Sequence, residues 1–241
     1  MNMRRLPRHA LLYIGVSVLA AVSAKANDVD PEIIDMVSTV ELDSLRYRTL
    51  TMADYEAVAK ELDIPVAAIR AVVEIEAGPK AEGFNPDNTP LINFDLTMFR
   101  QNARRHKIDL NKYKATHAVV FAAPNVRKYG SRQAAQYARL DAAMTIDTVC
   151  ALESVFWGMF QIGGFNWKLC GCGSIKEFVH QMSYSERAQL ELFAAFIKAR
   201  RLDVYLRKRD WAGFSLRYNG PSYKKRGYDT RMAAAYARYS K

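Results

Sequence analysis

From Leu96 to Lys241 the chain repeats a helical period and almost nothing else. The stretches "LTMFRQNARRH", "SRQAAQYARLDAAMTI", "TVCALESVFWGMFQI", "SIKEFVHQM", "SERAQLELFAAFIKARR", "DVYLRKRDWAGFSLRYNG" and "TRMAAAYARYSK" place apolar residues three and four apart. That spacing gives a helix one dry and one wet face. No long alternating run, fixed repeat or low-complexity linker breaks the series. Upstream, "TMADYEAVAKEL" opens with Thr51 three residues before Asp54, a helix-start signature. A second helix begins near Pro65, a residue suited to the first helical turn. It runs to about Ala77, where Gly78-Pro79 stops it. "GFNPDNTPLINFD" reads as loop with a short extended piece. The pattern predicts a mostly α single domain with a short β-hairpin or loop insertion near residues 84–98. A chain of 241 residues, half of them hydrophobic, fills one core.

The N-terminus stands apart. Arg4, Arg5 and Arg8 precede the apolar run "ALLYIGVSVLAAV", and Ala24-Lys25-Ala26 follows. A basic head, a short apolar run and a small-x-small site make a secretory signal over residues 1–26, too short for a comfortable membrane span. The expected location is periplasmic or secreted, with no stable membrane insertion after cleavage. Residues 27–50 read as a lead-in, with Pro31 opening a helix, and 51–241 as the domain. The leader carries four basic residues and no acid, so its removal lowers the net charge from +10 to +6. Exported basic proteins meet anionic polymers such as cell wall, anionic lipid and nucleic acid, and charge alone does not separate these.

In an oxidising compartment one bridge is expected, from Cys150 to either Cys170 or Cys172; a Cys170–Cys172 bridge is strained. Three sulfurs with no histidine at ligand spacing do not make a zinc site. No metal or other cofactor is expected, and no phosphate loop, dinucleotide fingerprint, zinc-protease motif or serine elbow is present.

The chemistry concentrates in "AVVEIEAGPKAEGF". Val66, Ile69, Val72 and Val73 form the apolar stripe of the second helix, and continuing it by three or four residues lands on Glu76. Glu74 lies roughly 200° away around the axis. It follows Arg70 by four residues and is expected to pair with it, while Glu82 falls in the loop, in water. A carboxyl on an apolar wall is harder to ionise and stays protonated nearer neutrality, as a general acid must. The alternative is that Glu76 only caps a loop or pairs with a buried arginine.

Two more segments mix aromatic faces with amides. "FWGMFQIGGFNW" gathers Trp157, Trp167 and three phenylalanines around Gln161 and Asn166. Such surfaces suit sugar rings, though on this segment alone a core helix ending in a Gly-Gly turn is the better explanation. "RYNGPSYKKRGYD" places Tyr218, Asn219, Tyr223 and Tyr228 about a turn, followed by the basic run Lys224 to Arg226.

Taken in order, "AVVEIEAG", "QYARLDAAMTID", "WGMFQIGGFNWKLCG", "AQLELFAAFIK" and "DWAGFSLRYNGPSYKKRGYDTRMAAAYARY" resemble the N-acetylmuramidase domain of phage endolysins and related bacterial proteins. That domain belongs to the lysozyme-like superfamily, and the likeness runs from about Met52 to Tyr239. The resemblance implies a helical lysozyme-like fold that binds peptidoglycan. It implies cleavage of the β-1,4 bond between N-acetylmuramic acid and N-acetylglucosamine. It makes Glu76 the acid, followed by the small Ala77, and leaves Glu74 at a second acidic position of the family. Trp157, Gln161, Tyr218 and Asn219 then line the saccharide groove. The chain departs from the pattern in three places. Phe94-Asp95-Leu96-Thr97 stands where the family has Phe-Glu with a histidine two places on. Phe156 replaces a serine, and Arg226 a late asparagine. Cys170 matches the family, whereas Cys150 and Cys172 are additional, which favours those two as the bridge.

The expected mechanism has Glu76 protonate the glycosidic oxygen. Either Asp95 activates a water, or no second carboxylate takes part. Carboxyl groups about 6.5–9.5 Å apart indicate inversion and about 5–5.5 Å retention. Attack by the substrate's own 6-hydroxyl instead makes a lytic transglycosylase, and loss of catalysis leaves a wall-binding module. "DYEAVAKELDIPVAAIRAVVEIE" also scans as helix-turn-helix. Its second helix offers only Arg70 and ends in two glutamates, a poor match to phosphate, so no nucleic-acid partner is expected.

Overall fold

The computed structural model describes residues 49–78 and 82–241. The expected signal peptide and nearly all of the expected lead-in lie outside the described residues. Thr51 and Asp54 behave as their spacing predicts: the Asp54 carboxylate accepts from the Thr51 backbone N–H at 2.7 Å and starts α1 (Met52–Leu62). Pro65 caps α2 (Val66–Ala77). This helix is buried on more than one face: Ala67, Ala68, Ile69, Ala71, Val72, Val73 and Ile75 are all covered, so its stability comes from packing rather than propensity. It packs on α1 and, along much of its length, on α12 (Tyr228–Tyr239).

The other helices are α3 (Leu96–Arg105), α4 (Ala118–Phe121), α5 (Val126–Tyr129), α6 (Arg132–Met144), α7 (Thr148–Glu153), α8 (Ile175–Met182), α9 (Glu186–Ala199), α10 (Asp203–Lys208) and α11 (Trp211–Asn219). Side-chain caps recur. Ser131, Ser174, Ser185 and Asp210 accept from the first turns of α6, α8, α9 and α11, which is why those helices begin where they do. Asp210 also splits the single long run expected from "DVYLRKRDWAGFSLRYNG" into α10 and α11.

The sheet is small and antiparallel, ordered β1 (Ile92–Phe94), β2 (Val155–Trp157), β3 (Ile162–Gly163). Ile92 faces Trp157, and Trp157 faces Ile162. β1 falls within the expected extended piece, but its partners come from far along the chain. "TVCALESVFWGMFQI" is therefore not one helix. It stops at Glu153, and the branched and aromatic Val155, Phe156 and Trp157 form a strand. The free edge of β1 is closed by α6. The Gln133 amide exchanges two hydrogen bonds with the backbone of Ile92, at 3.0 and 3.1 Å, and stands in for a fourth strand.

The expected disulfide is absent. Cys150, Cys170 and Cys172 are all free and buried, and burial pushes each thiol above its usual range. They act as small apolar side chains in the core.

One buried side chain ties the sheet to the helices. Gln189, on α9 and fully covered, accepts from Met159 N at 2.8 Å and donates to the carbonyls of Met182 at 2.8 Å and Gly83 at 3.3 Å. Beside it, Glu186 accepts from the N–H of Gly83 at 2.8 Å and of Leu50 at 3.3 Å. Gln189→Leu leaves the Met159 N–H and the Met182 carbonyl without that partner, while the Gly83 carbonyl keeps the Leu91 N–H, so it is expected to destabilise the protein by about 3 kcal/mol in urea denaturation. A loss below about 1 kcal/mol would show that the clamp contributes little.

Candidate active site

Glu76 occupies the last turn of α2, where no basic residue offsets the helix's negative end. Its carboxylate is largely covered and meets one partner. Asn219, the last residue of α11, points its amide nitrogen at both carboxylate oxygens, at 3.0 and 3.1 Å. Burial lifts the carboxyl to about 7; the Asn219 hydrogen bond and the more remote Arg231 only partly oppose that rise. A carboxylic acid still half-protonated at neutral pH can deliver a proton to a leaving oxygen.

Asn219 is itself held from behind. Its neighbour Tyr218 donates to the carbonyl of Phe160 at 2.9 Å. The Tyr218 ring lies against Phe214 (centroids 5.5 Å apart), with Phe193 and Phe196 meeting its edge and face. Burial, then the charge of Glu76, drives the Tyr218 phenol upward, so it remains a donor. The oxygen of the Asn219 amide is buried without a hydrogen-bond partner, an uncommon state that costs free energy and marks functional sites.

Glu74 has the opposite fate. Tyr239 donates to it at 2.6 Å and Arg238 pairs with it. The Tyr239 hydrogen bond, then Arg238, keeps its carboxyl below the usual range. The expected Arg70 ion pair gives way to this arrangement, because α12 brings Arg238 and Tyr239 across α2 and Arg70 lies over the Tyr239 ring, 3.9 Å from its centroid. Glu74 stays ionised and cannot supply a proton near neutrality.

Asp95 ends β1 and caps α3, accepting from Met98 N at 2.8 Å. The shortened acid thus has a local task that the sequence reading did not assign. Gln161 is exposed at the β2–β3 turn, with a left-handed φ of 49°, and bonds back to Gly158 O at 2.9 Å. Trp157 is only 3% exposed and donates to Leu152 O at 3.1 Å. So little free surface leaves it supporting β2 rather than presenting a face to a ligand. The Lys224 to Arg226 run forms an exposed 3-10 turn. The sequence reading missed the parts that hold Gln161 and the loop beyond α2 in place: Gln189, Glu186, Gly83 and the Phe160 carbonyl.

The order of these parts along the chain agrees with a family model described as N-acetylmuramidase, which matches residues 65–240. The chain belongs to that family. The solved Burkholderia AP3 phage endolysin is 36% identical to this muramidase-family chain, with a TM-score of 0.65. The match covers 80% of this chain and 71% of that one. No curated protein matches it. Membership and likeness place the chain among lysozyme-like peptidoglycan hydrolases.

Stability should report the Glu76 environment. A carboxyl that titrates higher folded than unfolded contributes fully below its unfolded value, near 4.5, and loses that contribution as pH climbs through about 7. Glu76→Gln is expected to stabilise the protein by about 1–2 kcal/mol at pH 8 and to change little at pH 4. Thermal melts at both values check this. Equal effects at the two would show that Glu76 titrates like a solvated acid.

Proposed function

We propose that the protein is an exported N-acetylmuramidase that cleaves the β-1,4 bond between N-acetylmuramic acid and N-acetylglucosamine, with Glu76 as general acid. The reading rests on the Glu76 carboxyl, buried at the end of an apolar helix and steadied by a single neutral donor, Asn219. As the glycosidic bond breaks, the proton of Glu76 moves to the leaving oxygen, the oxygen of a water bonds to the anomeric carbon while that water gives up a proton that restores Glu76, and a reducing end results. Asn219 orients the acid, Tyr218 fixes Asn219, and Gln161 offers its exposed amide to sugar hydroxyls. Asp95 serves as the cap of α3 rather than as a second catalytic group. A periplasmic or secreted location follows from the leader, and peptidoglycan is the partner.

Mass spectrometry of fragments released from purified peptidoglycan tests the chemistry. Reducing muropeptides are expected from the unmutated protein and from Glu74→Gln, and none from Glu76→Gln. Anhydro products would make it a lytic transglycosylase instead, and tight wall binding without release would make it a binding module. Asp95→Asn keeps a capping side chain but removes the charge. Activity within about tenfold is expected; a loss beyond about a hundredfold would make Asp95 a catalytic partner.

The pH profile supplies a separate check. The rate should fall as pH rises through about 7 and Glu76 loses its proton. Asn219 favours the charged form, so Asn219→Ala should move that limb to higher pH. A limb that stays in place would show that Asn219 does not set the acid.

A further inference from the structure

A cleft of about 440 Å³ opens between α3, the 3-10 turn Leu110–Tyr113 and α4, a size suited to a small ligand. None of Glu76, Gln161, Tyr218 or Asn219 lines it, so it is separate from the proton-donating site. Its floor is apolar, formed by Ala103, Ile108, Leu110 and Phe121. Its rim carries Arg100, Arg104 and Lys114, with a single carboxylate, Asp109, among them. The three cations are exposed, and among the described residues none takes part in the ion pairs that Asp and Glu form with other basic side chains. Asp109 is exposed and receives the Asn111 N–H on one oxygen at 3.0 Å.

The rim does not resemble an ordinary solvated face, where opposite charges intersperse and pair. Arg100 and Arg104 stand four apart on α3 and therefore lie on one side of that helix. Lys114 reaches the same opening from the end of the 3-10 turn. Unopposed cations around a dry floor select a ligand that combines several carboxylates with small apolar groups. Asp109 adds a place for one ammonium group.

We infer that this cleft binds the acidic stem peptide that peptidoglycan carries on its muramic acid residues. Such a peptide has several carboxylates, small methyl side chains and, where diaminopimelate is present, one free ammonium group. Arg100, Arg104 and Lys114 take the carboxylates, Asp109 takes the ammonium group, and Leu110 and Phe121 cover the methyl groups. The cleft starts along α3 from Asp95. Arg100 and Arg104 follow at roughly 8 and 14 Å along that helix at 1.5 Å per residue. The assignment rests on the muramidase reading, because the peptide arrives as an arm of the bound glycan. It makes the protein a reader of peptide-bearing wall rather than of bare glycan.

The test compares peptide-bearing glycan strands with strands stripped of peptide by an amidase. The full protein is set beside the triple variant Arg100→Gln, Arg104→Gln, Lys114→Gln. These side chains are exposed, so a thermal melt should show the fold intact. The unmutated protein is expected to have a KM about tenfold lower on peptide-bearing strands, and the variant equal KM values on both. Activity on stripped strands should stay within about twofold. Retention of the preference by the variant would overturn the assignment. Calorimetry with the isolated stem tripeptide, and with inorganic phosphate as a second probe, gives a readout independent of cleavage. Binding of tripeptide that the variant loses supports the cleft. Binding of phosphate as tight as tripeptide would reduce it to a general anion site and overturn the peptide reading. If neither glycan is cut, the muramidase reading falls, and the tripeptide titration still judges the cleft.

Discussion

The amide of Gln189 fixes the register between the helical body and the sheet. It closes three hydrogen bonds at once, to Met159, Met182 and Gly83, inside a core where an unmade bond is costly. Two glycines exist to let it do so. A β-carbon on Gly83 would lie 2.4 Å from the Gln189 side-chain oxygen, and one on Gly158 would lie 2.6 Å away. The amide cannot swing aside, because both its ends are bonded. Gly158 also has a left-handed φ of 67°, which disfavours any side chain there. One side chain therefore fixes the loop beyond α2 and the turn that presents Gln161.

That placement continues into the site. Met159 and Phe160 are consecutive, so holding the Met159 N–H also holds the Phe160 carbonyl that receives Tyr218. Phe160 stacks on Phe193, with centroids 4.2 Å apart, and Phe193 sits four residues after Gln189 on α9. The sheet turn is thus pinned to α9 by a polar and an aromatic contact on one helix face. Tyr218 relays the fixed position to Asn219, and Asn219 to Glu76. The unsatisfied Asn219 oxygen is the cost of this arrangement. It persists because the surrounding packing gives the amide no alternative donor to turn towards.

How much of this was legible in the sequence depended on range. The α2 stripe is local, and it pointed to the covered side of the helix at Glu76 without any structure. The cap at Thr51 was legible for the same reason, since it acts within three residues. The strand at Val155–Trp157 was lost because its aromatic run satisfies a helical period as well as a strand, and its partner β1 is some sixty residues upstream. Trp157 looked like a sugar platform because composition does not report which face is buried. The expected Arg70–Glu74 pair failed for the same reason: α12 arrives from the far end of the chain with better partners. Gln189 sits inside "AQLELFAAFIK", where an amide in an apolar helix gives no sign of which backbone it meets.

The helix α2 carries two carboxylates two residues apart and gives them opposite chemistry. Both share one backbone, one helix end and one intrinsic acidity. Their difference comes from what the fold lays across each face. Over Glu74 it sets a cation and a phenol donor, which favour the charged form. Over Glu76 it sets one neutral amide, with Arg231 more remote, which leaves desolvation dominant. Exchanging the two environments would move the acid to the other side of the helix, away from Asn219 and Tyr218. Which of the two carboxyls on α2 holds its proton is therefore decided by α11 and α12, the last helices of the chain.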